Sequence, residues 1–169
     1  MNKALSLAVA ATLSCASLNS EAQTMIGKTT DVAAIANGDR MNAEKLWAMG
    51  RIGGAAASPD GNTIVYQVGY YSVKQNKSHQ MLYTISADGK KQCALTTTAA
   101  SETDATWIDG GKRIAFLTGG QLWSMNADGT DRRQLTKSEI DIEGYIFSPD
   151  EKKVILIKEL PYHGTIKEN

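Results

Sequence analysis

The chain is poor in cysteine, proline and histidine, and it has no excess of either charge. Only 2 cysteines, 3 prolines and 2 histidines occur among 169 residues, and 18 basic side chains balance 18 acidic ones. So few cysteines exclude a disulfide-dense scaffold, and the ordinary proportions of glycine and proline exclude a collagen-like or broadly disordered chain. A formal net charge of zero, with no basic cluster, argues against electrostatic binding to nucleic acid or to an anionic membrane, since both need concentrated Lys and Arg. Without a Cys or His cluster there is no ligand set for structural zinc. No run beyond the N-terminal region is long and apolar enough to span a bilayer.

What is present begins with a leader. Lys3 precedes an uncharged stretch from Ala4 to Ser20, and Ser20 and Ala22 place small residues two positions apart. This pattern predicts a secretory signal peptide over residues 1–22. Its apolar part, roughly 13 to 15 residues, falls short of the roughly 20 needed to cross a membrane. Lipidation of Cys15 is the variant reading, with polar Thr12 at a place where such sites prefer Leu. Cleavage after Ala22 predicts a periplasmic or secreted protein with Cys93 as its lone cysteine, expected buried as a small apolar residue. His79 and His163 are isolated in sequence and expected to be solvated.

Residues 23–41 are polar, small and aperiodic and read as a flexible leader. A short helix is expected over 42–50: Asn42 can cap it, Glu44 suits its positive start, Leu46, Trp47 and Met49 offer an apolar side, and Gly50 can close it.

After Ile52, short β-type runs alternate with turn signals, and the pattern repeats. Leu82-Tyr83-Thr84-Ile85-Ser86-Ala87-Asp88-Gly89 recurs 40 positions later as Leu122-Trp123-Ser124-Met125-Asn126-Ala127-Asp128-Gly129, and Leu95-Thr96 recurs as Leu135-Thr136. The segments beginning at Trp107 and Phe147 stand 40 positions apart as well, and an earlier copy beginning at Ala57 lies 50 before the first of these. The extra ten residues predict an insertion near Tyr70 to Ser78. A period of about 40 residues with four short strands is that of a β-propeller blade.

Ser-Pro-Asp-Gly and Ala-Asp-Gly make tight turns, because Pro presets φ, Asp bonds its own backbone and Gly accepts positive φ. Runs such as Ile64 to Val68, Ile114 to Leu117 and Val154 to Ile157 are nearly all apolar and must be covered on both faces, as stacked blades would cover them. Residues 51–169 are therefore expected to be all-β: an incomplete propeller domain of about two and a half four-stranded blades. Trp107, Ile114, Phe116, Trp123 and Ile155 should be buried between sheets.

The segment from Ala43 to Ile52, followed by Ser58-Pro59-Asp60-Gly61 and the later Leu122-Trp123-Ser124-Met125-Asn126-Ala127-Asp128-Gly129-Thr130 unit, resembles the start of secreted bacterial members of the prolyl oligopeptidase family. Dipeptidyl-peptidases and acylaminoacyl-peptidases are its relevant kinds. The resemblance covers Met41 to Asn169 and implies a propeller that gates peptide access to a C-terminal α/β-hydrolase domain with a Ser-Asp-His triad. That domain and the remaining blades would be the partners of this segment.

The hydrolase elbow G-x-S-x-G is absent from the sequence, so no catalytic residue is assigned. No cofactor or metal site is assigned either. Gly50 to Gly54 lacks the strand-before, helix-after setting of a phosphate loop, and Asp128, Asp131 and Glu139 lack the spacing of a calcium loop. The other reading is a non-catalytic periplasmic propeller of the TolB kind that binds proteins.

Overall fold

A computed structural model describes residues 40–72, 76–96 and 98–159. The expected signal peptide, Cys15, His163 and nearly all of the leader lie outside these residues. The described chain starts with helix α1, Ala43–Ala48, whose N-terminus is capped by Asn42 Oδ1 accepting from the Lys45 amide at 2.8 Å. The helix ends at Met49, in extended conformation, rather than on a left-handed Gly50. Gly50 has a different reason to be glycine: a Cβ there would stand 2.7 Å from Val68 Cγ1. The chain passes this close over β2 because no side chain intervenes.

Ten strands follow: β1 Arg51–Ala57, β2 Thr63–Ser72, β3 Lys77–Ser86, β4 Gln92–Ala94, β5 Thr103–Ile108, β6 Arg113–Thr118, β7 Gln121–Asn126, β8 Arg133–Gln134, β9 Ile142–Phe147 and β10 Val154–Lys158. They form two four-stranded sheets in the orders β1-β2-β3-β4 and β5-β6-β7-β8, and a two-stranded sheet of β9 and β10. Every pairing is antiparallel, so each sheet is an up-and-down meander. This is a partial propeller of two blades and the first two strands of a third, as the repeat predicts.

The sequence offset reappears bond for bond. The amides of Leu95 and Thr96 donate to the Leu82 carbonyl at 2.8 and 3.3 Å, and those of Leu135 and Thr136 donate to the Leu122 carbonyl at the same two distances. Glu102 N–H reaches Gln80 O and Ile142 N–H reaches Gly120 O, both at 3.0 Å. The turns repeat too. In Ser58-Pro59-Asp60, Ser86-Ala87-Asp88 and Ser148-Pro149-Asp150 the Ser hydroxyl donates to the Asp carboxylate and accepts the amide five residues on. These bonds to the ionised form hold all three Asp carboxyls below the usual range. The second blade replaces this turn by a 3-10 turn over Asp109–Gly111, all three residues with positive φ. Glu151, at the place that Gly61 holds in the first blade, adopts a positive φ (56°), and its carboxylate takes the Asp109 amide at 2.7 Å.

The extra ten residues lengthen the β2–β3 hairpin instead of forming a separate loop: both strands run for ten residues, in register from Thr63↔Ser86 to Ser72↔Lys77. Alternation sorts side chains between faces. Val65, Leu82, Leu95, Ile114, Phe116 and Met125 fill the space between the first two sheets, each 0–1% exposed, with Trp107 and Trp123 partly buried against them. Ala115, Leu117, Leu122 and Ile142 join the second sheet to the third.

Three side chains depart from expectation. Ile155 is 64% exposed, because β9–β10 packs on one face only and Ile155 points from the other. His79 is 1% exposed, on β3 opposite Tyr70 and two pairs from the turn end of the lengthened hairpin. Cys93, on β4, is half-buried rather than fully buried.

Candidate functional site

The first strand of each sheet carries the irregular geometry. Register shifts interrupt β1 between Ile52 and Ala55, β5 between Thr103 and Thr106, and the β10–β9 ladder beside Gly144. A bulge kinks a strand and re-aims its side chains, so its recurrence at matching places gives the three sheets one shared irregular edge. The sheets meet near this edge: β5 touches β1, β2 and β3, and Trp107 Nε1 donates to the Ala56 carbonyl at 2.9 Å.

Asp104, in the β5 bulge, holds a left-handed φ of 59° with its side chain exposed. Such a conformation in a non-glycine residue needs outside support. Gln67 Oε1 accepts its amide at 3.3 Å, and Tyr145 from the next sheet has its hydroxyl against the Asp104 carbonyl and 2.9 Å from the Ala115 carbonyl. Burial pushes the Tyr145 hydroxyl above its ordinary range, and the Asp104 charge adds to the shift, so it remains a proton donor to these carbonyls.

Beside this edge, a cleft of about 430 Å³ opens between β5 and β9, with Trp107, Tyr145, Phe147 and Ser148 among its walls. A smaller one of about 230 Å³ lies at the β6–β7 turn, beside Thr103, Asp141 and Glu143. Both offer apolar surface, hydroxyls and exposed backbone.

A different chemistry is buried between the first two sheets. Glu102 is fully buried; it pairs with Arg132 and accepts from Thr96 Oγ1 at 2.8 Å, while that same oxygen takes the Leu82 amide at 2.7 Å. Burial pushes the Glu102 carboxyl above the usual range, and Arg132 and Thr96 pull it part of the way back. The Arg132 guanidinium also lies 4.9 Å from the Phe116 ring centroid. The pair binds one blade to the next. Sequence reasoning passed over it because the two charges lie 30 residues apart, and the only signal was a Glu standing where the next repeat has Ile142.

Among the described residues no group of three or more His, Cys, Asp and Glu side chains could hold a metal ion. Asp131 is engaged by Arg113 and Arg133, and Asp128 binds Thr130 in its own turn. No described helix is long and apolar enough to cross a membrane.

Repeated four-stranded meanders, meeting at their first strands, define a segment of a β-propeller. No protein-family model matches the chain. Over 132 residues it is 37% identical to dipeptidyl-peptidase 5 of Porphyromonas endodontalis, which covers 76% of this chain and 19% of that protein. Over 143 residues it is 38% identical to dipeptidyl-peptidase 5 of Porphyromonas gingivalis, covering 82% of this chain and 21% of that one. A solved acylaminoacyl peptidase in complex with Z-Gly-Gly-Phe-chloromethyl ketone shares the fold with a TM-score of 0.59 at 11% identity, over 76% of this chain and 21% of that chain. The chain thus spans about one fifth of the length of the curated relatives it matches. In sequence it is similar to the N-terminal, propeller part of prolyl oligopeptidase-family peptidases.

Proposed function

We propose that these residues are the propeller wall of an exported serine exopeptidase of the dipeptidyl-peptidase kind, gating the passage of peptides to an α/β-hydrolase domain supplied elsewhere in the protein. The observation that carries this reading is the identity of 37% and 38% to two dipeptidyl-peptidases over most of the chain. The role assigned to the chain is steric and binding, since acyl transfer needs a Ser activated by a positioned His together with an oxyanion hole. Export follows from the Lys3, apolar run and Ser20-x-Ala22 arrangement.

The test is to express the complete reading frame and residues 23–169 side by side and assay chromogenic dipeptide substrates with a serine-directed inactivator. Inactivator-sensitive dipeptide release by the complete protein, and none by the shorter chain, is the expected result. A complete protein that releases no dipeptide overturns the reading. N-terminal sequencing from native cells should return Gln23; an intact Met1 overturns export by cleavage.

A further inference from the structure

Where α1 meets the β2–β3 hairpin, the chain holds a cation whose binding capacity is only partly used. The Arg51 guanidinium carbon lies 4.7 Å from the ring centroids of both Trp47 and Tyr71, and those rings stand edge to face, 5.7 Å apart. One terminal nitrogen, Nη2, donates weakly to the Leu46 carbonyl at 3.5 Å. The other, Nη1, is shielded from solvent and has no hydrogen-bond partner. An unsatisfied charged donor is costly to bury and calls for an explanation.

The rings that flank Arg51 also line a cavity of about 380 Å³, together with Ser72, Asn76, Lys77 and Ser78. Among the described residues neither Arg51 nor Lys77 takes part in an ion pair. One cation, Lys77, two aromatic rings and a set of short hydroxyl and amide side chains therefore line one opening, with the Arg51 guanidinium stacked against the same two rings, and no described carboxylate pairs with either cation.

We propose that this cavity is a binding site for an organic carboxylate, taken by Arg51 and Lys77 with the adjoining part of the ligand laid against Trp47 and Tyr71. A guanidinium held against aromatic faces is fixed in orientation, and its unpaired Nη1 is the donor left to meet a planar carboxylate. Because Nη1 is covered, a carboxylate reaches it by turning the Trp47 indole aside, and that indole is already 39% exposed on a helix of six residues. Binding thus changes the surroundings of Trp47. The carboxylate can come from the C-terminus of a peptide or from an acidic side chain in a docked segment. The site is independent of the peptidase reading: it stands or falls on binding alone.

The test follows Trp47 fluorescence in the full chain, with Trp47→Phe as the blank, during titration with N-acetyl-dialanine free acid, its C-terminal amide, an acetylated and amidated Asp dipeptide, and sodium sulfate. Saturable change with the free acid at roughly millimolar concentration, and none with the amide, is the expected result. Binding by the Asp dipeptide identifies the side-chain source, and its failure beside the free acid identifies the C-terminal one. Lys77→Gln, at an exposed position, should weaken binding about tenfold, a loss of one charge-assisted contact. Arg51→Gln should abolish it, with circular dichroism checking the fold; if that variant unfolds, Lys77→Gln carries the test. Equal response to acid and amide, equal response to sulfate, no response to either carboxylate, or full affinity in Lys77→Gln each overturns the proposal.

Discussion

The two junctions between sheets share one backbone and differ in what they bury. At the first, Glu102 donates its amide to Gln80 and buries its carboxylate on Arg132; at the second, Ile142 makes the same backbone bond to Gly120 and buries a hydrocarbon. Leu95 at the first is 1% exposed, whereas its counterpart Leu135 is 46% exposed. The repeat therefore fixes the ladder and the turns, while the side chains between ladders are free to solve each junction separately. An ion pair costs desolvation that an apolar side chain does not, so the first junction needs its full set of hydrogen bonds to hold.

The largest contrast lies in packing. Phe116→Ala should cost about 3–5 kcal/mol, because the ring is fully buried between two sheets and leaves a cavity they cannot close. Leu156→Ala, in the half-covered third sheet, should cost less than about 2 kcal/mol, because truncating a partly exposed side chain loses less burial. Urea unfolding of both variants measures the difference, and equal losses would break the comparison.

Next comes the ion pair. Arg132→Met should cost about 3 kcal/mol at neutral pH by leaving Glu102 charged and unpaired in the interior. The carboxyl pKa is already raised by burial, and loss of Arg132 raises it further. A raised folded pKa means the folded state holds the proton more tightly, so the variant recovers stability as pH falls through that pKa and loses it as pH rises. Adding Glu102→Ile, which copies the second junction, should restore most of the loss at every pH. Unfolding midpoints of the single and double variants between pH 5 and about 8 decide it; a double variant as weak as the single one would show that the charge pair is itself required.

The fold was legible because the repeat is written in turn chemistry and strand alternation, both local. Ser58-Pro59-Asp60-Gly61 and Ala127-Asp128-Gly129 announce their turns, and 40-residue spacing announces the sheets. The Glu102–Arg132 pair, the Arg51 cluster and the cover over His79 were not legible, because each joins residues from different strands or from helix and hairpin. Ile155 misled for the opposite reason: its apolar run matches those of the first two blades, and alternation says which residues share a face but not whether that face is covered.

His79 sharpens the comparison through pH. Its counterpart 40 residues on is Gly119, which has no side chain to bury. Burial lowers the His79 pKa below its ordinary value of 6.5, and Nε2 has no partner to offset the loss of water. A histidine held neutral in the folded state contributes stability above the unfolded pKa, and that stability is lost as pH falls below about 6.5, where the unfolded chain takes up the proton. Below about 6.5 stability should therefore slope downward as pH falls, until the folded histidine also takes up the proton. His79→Phe should flatten this slope, and an unchanged slope would place the titration elsewhere.

The smallest expected difference tests the two junctions at their most similar point. Thr96 Oγ1 takes the Leu82 amide at 2.7 Å and Thr136 Oγ1 takes the Leu122 amide at 2.9 Å, so in both the hydroxyl accepts from the third strand of its sheet. They differ in where the proton goes: Thr96 gives it to buried Glu102, and Thr136 gives it to half-buried Gln121. Replacing either by Val removes the same acceptor from a backbone amide, but only Thr96→Val also strips a charged, buried acceptor of a donor. Hydrogen bonds to charged groups contribute about 1.5–3 kcal/mol against about 1 for neutral ones, so Thr96→Val should cost about 1 kcal/mol more than Thr136→Val. The gap should close when both are measured in the Glu102→Ile, Arg132→Met background, because the first junction then lacks the charge that distinguishes it. A gap that persists there would mean that the two ladders are not equivalent after all, and that the repeat seen in the backbone bonds does not extend to their energies.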